Sequence, residues 1–347
     1  GCRENGLLTR ELPVYPYGAP AISGILKTTP ADFQVIEELG FEPHGEGEHC
    51  FLQVEKTGLS TRELISRIAY DYSLHPRLIG HSGLKDKHAR TSQWLSLHLP
   101  GRSLPTASST GEGYRILRQA RHHRKLRPGT HKCNVFQLCL REVEELPDQT
   151  ILQINSLTRR GFANYFGAQR FGRRQDNVRQ ALLKLQNRRL QRARKSILVS
   201  SLRSHLFNQI LARRIGLGYW EKPLAGDVFM LRGSHSIFKD EINDNLLTRY
   251  RQLDISSSAS LYGSGRNQVS DEAQAIEKQV FAEYEDITDC LDRQGTKLQM
   301  RALRAVADDF SYNYDAEKRT LRLNVTLPAG SYVTTMLEHF IDLKDVS

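Results

Sequence analysis

Two-residue apolar alternation marks both ends of this chain, and helical periodicity fills the stretch between them, so the fold must join its ends around its middle. Near the start, DFQVIEEL and CFLQVEKTG read as short strands, the first with Phe33 and Val35 on one side. TSQWLSLHLP sets Leu95, Leu97 and Leu99 against Ser96 and His98, and NVFQLCLREV places Phe136, Leu138 and Leu140 on one face. This period of two is that of a half-buried strand. It returns in LRLNVTLP, where Leu321, Leu323, Val325 and Leu327 alternate with Arg322, Asn324 and Thr326. The expected class is therefore α+β, a mixed or antiparallel sheet assembled from both chain ends with a helix-rich insertion. At ~150 residues per domain, 347 residues suggest two. Their boundaries are predicted at 1–160 with 307–347, and at 161–306.

Local signals refine this plan. Ser60 and Glu63 form a capping-box pattern that opens a helix burying Leu64, Ile65 and Ile68. SSLRSHLFNQILARRIG predicts a helix ending at Gly216, and ISSSASLYGSGRNQV (255–269) a Ser/Gly-rich loop. Ser270 is a candidate cap for a helix expected to bury Ala273, Ile276, Val280 and Phe281.

Lys plus Arg number 49 against 39 acids, a net charge of +10 that favours a polyanionic partner. Two runs concentrate it, RHHRKLR at 121–127 and RRQDNVRQALLKLQNRRLQRARK at 173–195. In the second, Val178, Ala181, Leu182 and Leu185 supply an apolar stripe, so the arginines extend from a surface helix and its tail. Arg121, Arg124, Lys125, Arg127, Arg170, Arg173 and Arg174 are the candidate contacts to a nucleic-acid backbone. No apolar stretch approaches the ~18 residues of a membrane-spanning helix, and no secretory signal pattern is read in the first thirty residues. Five scattered cysteines with no C-x-x-C pair argue for reduced thiols, and the expected compartment is the cytoplasm. His44, His49 and Cys50 have metal-ligand chemistry without a second ligand pair at matching spacing, so no metal is expected. GEGEHC lacks the GK[ST] of a phosphate loop, and no G-x-S-x-G, H-E-x-x-H or dinucleotide fingerprint occurs.

The segment IGHSGLKDKHARTSQWLSL (79–97) is the most informative. Asp86 falls in a short loop among Lys85, Lys87, His88 and Arg90, and neighbouring cations favour an ionised carboxylate. That suits a carboxylate nucleophile, or a turn aspartate that only balances charge. Lys27 and Lys85 are the candidate charge partners. Asn134, at the mouth of a strand, either matches the edge of a uracil-like base or closes the preceding turn. NYFGAQRFG either lines a groove or packs as a turn, and Tyr332 after the Pro-Ala-Gly turn of LPAGSYVTT either stacks on a base or joins the core.

Taken together, GLKDKHARTSQW (83–94), NVFQLCLRE (134–142), NYFGAQRFG (164–172), SLRSHLFNQ (201–209) and LPAGSY (327–332) resemble the TruD family of tRNA pseudouridine synthases, in the family's order. The resemblance implies a pseudouridine synthase catalytic domain built from both chain ends with an inserted TRUD domain. It implies an isomerase that converts uridine to pseudouridine, typically at position 13 of tRNA, without cofactor or metal. Asp86 takes the place of the catalytic aspartate, Asn134 that of the substrate-placing asparagine, and Phe33, in D-F-x-V-x-E, that of the early aromatic. Tyr332 stands for the late aromatic, where close relatives often carry Phe. The partner implied is tRNA, and nothing demands more than a monomer. A non-catalytic RNA-binding or tRNA-folding protein on the same scaffold is the alternative, and a carboxylate-dependent glycosidase or nucleoside hydrolase a third.

Overall fold

The computed structural model describes residues 13–104, 110–167, 177–186 and 189–344. The chain begins with β1 (Ile22–Ile25), β2 (Phe33–Glu38), β3 (His49–Thr57), α1 (Thr61–Asp71), β4 (Ile79–His81), β5 (Arg90–His98), β6 (Thr110–Gly111), β7 (Tyr114–His122) and β8 (Cys133–Leu140). Its middle holds α2 (Asp148–Arg160), β9 (Phe162–Ala163), α3 (Asn177–Leu185), α4 (Arg192–Gly216), β10 (Val228–Leu231) and β11 (Ile237–Phe238). There follow α5 (Asp244–Arg251), β12 (Ile255–Leu261), α6 (Asp271–Glu283), α7 (Glu285–Gln294), β13 (Gln299–Ala302) and β14 (Arg304–Ala305). The chain closes with β15 (Asp308–Asp315), β16 (Thr320–Pro328), α8 (Val333–Leu337) and β17 (Ile341–Lys344). Among the described residues no helix is long and apolar enough to cross a membrane.

Packing divides the chain into two units. Of the described residues, one gathers those within Pro20–Leu152, Ala307–Val333 and Phe340–Ser347; the other gathers 13–19 with those within Gln153–Val306 and Thr334–His339. In the first, the described residues form a nine-stranded sheet in the order β15-β16-β8-β2-β5-β3-β7-β6, with β4 also on β5. The late strand β16 lies antiparallel to β8, pairing Leu327 with Asn134 and Leu323 with Leu138. β17 runs parallel to β1. Both chain ends therefore contribute strands to this unit.

β3 pairs with β5 along its whole length, and the other edge of β5 is shared by β2 (Arg90–Ser92) and β4 (Leu95–Leu97). One face of these strands packs Leu52, Val54, Leu95 and Leu97 against Leu64 and Ile68 of α1. The other buries Trp94 with Leu39, Phe51 and Leu126. The alternation of β5 predicts one wet face, whereas Trp94 and Ser96 are buried too, because this central strand is covered on both sides. Ser96 tolerates burial because its hydroxyl accepts the Leu126 N–H at 3.0 Å. Gly80 permits this approach, since a Cβ there would lie 2.4 Å from the Leu126 carbonyl oxygen.

The second unit contains a four-stranded sheet, β11-β10-β12-β13. Here the expected loop at 255–269 is corrected, because Ile255–Leu261 is the strand β12, inside that sheet. Its serines are buried donors: Ser257 Oγ reaches Asp227 at 2.7 Å and Ser258 Oγ the Val228 carbonyl at 2.6 Å. α4 ends at Gly216 as expected but begins earlier, at Arg192, so the RARK end of the second basic run is its first turn. α6 buries Ala273, Ile276 and Val280, while Phe281 is only half-buried. Of NYFGAQRFG, residues 164–167 are buried irregular backbone, where Asn208 of α4 accepts the Phe166 N–H at 2.9 Å and donates to the Phe166 carbonyl at 3.0 Å, and 168–172 lie outside the described residues.

The capping box at α1 forms reciprocally, Ser60 Oγ accepting from Glu63 N and Glu63 Oε2 from Ser60 N, both at 3.1 Å. Ser60→Ala is expected to lower stability by about 1 kcal/mol, as cap removal does, read from urea unfolding midpoints. An unchanged midpoint would show that tertiary packing alone holds this helix end.

Candidate active site

The loop at 82–89 joins the antiparallel pair β4 and β5, and places Asp86 beside Lys27. Lys27 Nζ donates to Asp86 Oδ2 at 2.5 Å, and the His88 N–H to Asp86 Oδ1 at 2.7 Å. Both side chains are about four-fifths buried, at 21% and 22% exposure. Burial pushes the Asp86 carboxyl up, but the Lys27 hydrogen bond, the His88 amide and the Lys27 charge outweigh it, and the net shift is downward. Lys27 follows β1 in a left-handed backbone conformation, φ 64°. Its ammonium also lies 4.7 Å from the centre of the Phe33 ring, a cation–π distance. One cation thus couples the acid to the aromatic.

The other proposed partner, Lys85, points elsewhere. Its ammonium donates to Glu37 Oε1 at 2.8 Å, with both side chains nearly inaccessible to solvent. Glu37 Oε2 accepts the Trp94 N–H at 2.8 Å. Glu37 lies opposite Asn134 in the β2–β8 register, as Val35 lies opposite Phe136 and Phe33 opposite Leu138. The Phe33 and Phe136 rings meet edge to face at 6.0 Å.

Asn134 is buried on β8, and its amide group donates to His131 Nε2 at 3.2 Å. The other nitrogen, Nδ1, lies 2.6 Å from Ser82 Oγ, while the His131 N–H donates to the same oxygen. Burial holds His131 below the ordinary histidine value, with the Lys85 charge also lowering it against the opposing pull of Glu37. Neutral His131 therefore accepts at Nε2 and donates at Nδ1. Asn134 Oδ1 is left buried without a hydrogen-bond partner among the described residues. A buried unmatched acceptor is costly unless something supplies a donor.

Tyr332 follows the turn that ends β16. Gly330 adopts φ 84°, Ser331 N–H returns to the Pro328 carbonyl, and Ala329 N–H donates to the Lys132 carbonyl. Since Leu327 pairs with Asn134, this turn lies at the Asn134 end of the sheet. Tyr332 itself is half-buried.

The basic run at 121–127 is not uniformly solvated. Arg121 is held by the carbonyls of Leu99 and Arg102, and Lys125 donates to the Arg77 carbonyl at 2.7 Å. His122 and Leu126 are buried, whereas Arg124, Lys125 and Arg127 are exposed. Arg170, Arg173 and Arg174 lie outside the described residues.

The metal set considered from sequence does not assemble. Cys50 is in the core facing α1, and His49 lies opposite His98 and His122 across the sheet. His44, His122 and His123 come together instead, with nitrogens within 4.8 Å of one another. His122 Nδ1 accepts the His44 N–H at 3.2 Å. Neutral His122 then carries its proton on Nε2, a donor rather than a metal ligand. Burial, the adjoining histidines and Arg124 all lower its basicity.

Sequence reasoning passed over Glu37, Lys56, Thr61, Gln93 and His131. A signal existed for two of them. Glu37 shares the inward parity of Phe33 and Val35, and Lys56 that of Leu52 and Val54. A charged residue on the core side of a strand requires a buried partner.

Comparison with known proteins adds a family to this geometry. The family model for tRNA pseudouridine synthase D (TruD) matches residues 10–184 and 174–340. The tRNA pseudouridine synthase D of Methylococcus capsulatus is 37% identical over 330 residues, covering 94% of this chain and 93% of the relative. That of Legionella pneumophila (strain Corby) is 38% identical, covering 94% and 97%. A crystal structure from Methanosarcina mazei, described as tRNA pseudouridine synthase D (TruD), shares the fold with a TM-score of 0.68 at 21% identity, covering 95% of this chain and 96% of that one.

The carboxylate has the sign of pH dependence expected for a stabilised anion. Its contact with Lys27 is fully present above the ordinary Asp value and is lost only as pH falls through the lowered one. Lys27→Met is expected to raise the Asp86 carboxyl, read by the pH dependence of its 13C carboxyl resonance. A resonance that titrates as in the parent protein would show that Lys27 does not hold the charge.

Proposed function

The chain belongs to the tRNA pseudouridine synthase D (TruD) family, and from that premise we propose that it isomerises a uridine of tRNA to pseudouridine, at position 13, with Asp86 as the group that engages the nucleotide. The observation that carries this reading is the largely buried Asp86 carboxylate joined through Lys27 to Phe33. The reaction breaks the bond from sugar carbon to base nitrogen, turns the uracil and rejoins it through a ring carbon. Attack on the anomeric carbon, attack on the base and removal of a sugar proton are the routes open to a carboxylate. Each needs the anion that Lys27 and the His88 amide favour.

Asn134 supports a preference for uracil. Its unmatched Oδ1 is an acceptor, and the uracil edge offers an N3–H donor where cytosine offers a lone pair. His131 keeps the amide turned that way by accepting from its Nδ2. The target must leave its stack, at a cost of a few kcal/mol, and Phe33 and Tyr332 are the proposed replacement stacking surfaces, worth ~1–3 kcal/mol per base. Arg124, Lys125 and Arg127 are the exposed cations proposed to hold the RNA backbone, with Arg170, Arg173 and Arg174 as further candidates outside the described residues.

The catalytic domain is assigned to 1–160 and 307–347 and the inserted TRUD domain to 161–306. Lys27, Phe33, Asp86, Asn134 and Tyr332 all belong to the unit containing the nine-stranded sheet, which supports that assignment. The stretches 13–19 and 334–339 pack with the middle segment instead. The compartment implied by a tRNA substrate is the cytoplasm.

Asp86→Asn is expected to abolish pseudouridine formation on a tRNA transcript, followed by nucleoside chromatography because the product is isomeric in mass. Binding should stay within about threefold, since phosphate contacts carry the affinity. Full activity in the variant would remove Asp86 from the reaction, and release of free uracil by the parent protein would indicate a hydrolase.

A further inference from the structure

Three buried polar side chains hold the segment that carries Asp86. Gln93 Nε2 donates to the Gly83 carbonyl at 3.3 Å, and Thr61 Oγ1 accepts the Lys85 N–H at 2.8 Å while donating to Gln93 Oε1 at 3.1 Å. The third is Lys56 on β3, which is 1% exposed. Its Nζ donates to the carbonyls of Leu59 at 2.6 Å, Asp86 at 3.0 Å and Lys85 at 3.4 Å. An ammonium has three N–H donors, and here all three end on backbone oxygens, two of them on successive residues of the Asp86 loop.

A buried cation is expensive to desolvate. A methionine of similar length would fill the space beneath this loop without that cost, so packing alone does not account for a lysine here. What the ammonium adds is directional. It pins the Lys85 and Asp86 carbonyls on one side of the loop, while the Asp86 side chain leaves on its own path toward Lys27. It also places positive charge behind the carboxylate. We propose that Lys56 is the positioning residue of Asp86, its charged form holding the loop in the reactive arrangement and its neutral form releasing it. This rests on the reading that Asp86 engages the nucleotide.

The surroundings give the proposal a pH signature. Burial lowers the Lys56 ammonium to about 8; the charges of Asp86 and Glu63 favour it and that of Lys85 opposes it. Lys87 partly offsets Glu63 through a 3.0 Å ion pair, and Lys27 does the same for Asp86. Its cross-strand neighbours are Thr91, which is uncharged, and Tyr114, whose hydroxyl donates to Asp71. Lys56 is therefore charged at neutral pH and loses its proton on the alkaline side, far from the range in which Asp86 titrates.

The test is the single-turnover rate of pseudouridine formation by the full chain on a tRNA transcript, measured from about pH 6 to 10. The parent protein is expected to slow on the alkaline side with a midpoint near 8. Lys56→Arg, whose guanidinium stays charged, should move that limb to higher pH. Lys56→Met should lower that single-turnover rate by roughly 10- to 100-fold, the effect of a small misplacement of a reacting group, with tRNA affinity unchanged and the limb gone. The parent profile and its displacement in Lys56→Arg keep the test decisive if the Met variant fails to fold. A flat parent profile, a limb that stays in place in Lys56→Arg, or a folded Lys56→Met with parental rate and limb would each overturn the proposal. A parent protein that forms no pseudouridine at any pH would contradict the Asp86 reading first, and the Lys56 proposal with it.

Discussion

A 2.5 Å contact between Lys27 and Asp86 organises the site. Removing either charge would leave the other in a largely desolvated place, where a lone ion is poorly tolerated. The pair also joins distant parts of the chain. Lys27 follows β1, whose strand partner β17 comes from the far end of the sequence, while Ile25 exchanges backbone hydrogen bonds with Arg141 just beyond β8. Arg141 makes a two-pronged contact with Asp32, the residue before Phe33. The ammonium, the aromatic ring and the Asn134 strand are therefore fastened to one another by backbone and ion pairs.

Behind this pair lies a second layer of buried charge. The Lys85–Glu37 pair is more deeply buried than Lys27–Asp86, and its acid also accepts a backbone N–H of β5. Lys56 holds the adjacent carbonyls with no acid in direct contact among the described residues. Such groups contribute little net stability compared with apolar packing. Their value is geometric, because fully satisfied polar networks admit few alternative arrangements. The Asp86 loop is set from beneath by Lys56, Thr61 and Gln93 and from the side by Lys85.

Much of this was legible in the amino-acid sequence, for identifiable reasons. β2, β8 and β16 announce themselves because each alternates cleanly, and α1 because Ser60 and Glu63 form a local cap that needs no tertiary context. β12 was not legible: serines read as loop formers, yet here their hydroxyls serve buried partners such as Asp227, an arrangement that depends on a strand distant in sequence. The double burial of β5 is likewise a property of the whole sheet. At the site, Asp86 stood out because cations crowd it in sequence. Which cation touches it did not, since adjacent Lys85 turns to Glu37 while Lys27, 59 residues away, makes the contact. Asn134 was visible as a residue type, but the direction of its amide depends on His131 and so on folding.

Family membership and geometry meet in one proposal, that a tRNA uridine becomes its carbon-linked isomer beside the Asp86 carboxylate. The most direct measurement is nucleotide-resolution mapping of modified bases in a tRNA transcript incubated with the purified protein and no added cofactor. The expected result is one new pseudouridine, at position 13, with no free base released. A transcript that remains unmodified while bound, or one that loses uracil, would contradict it.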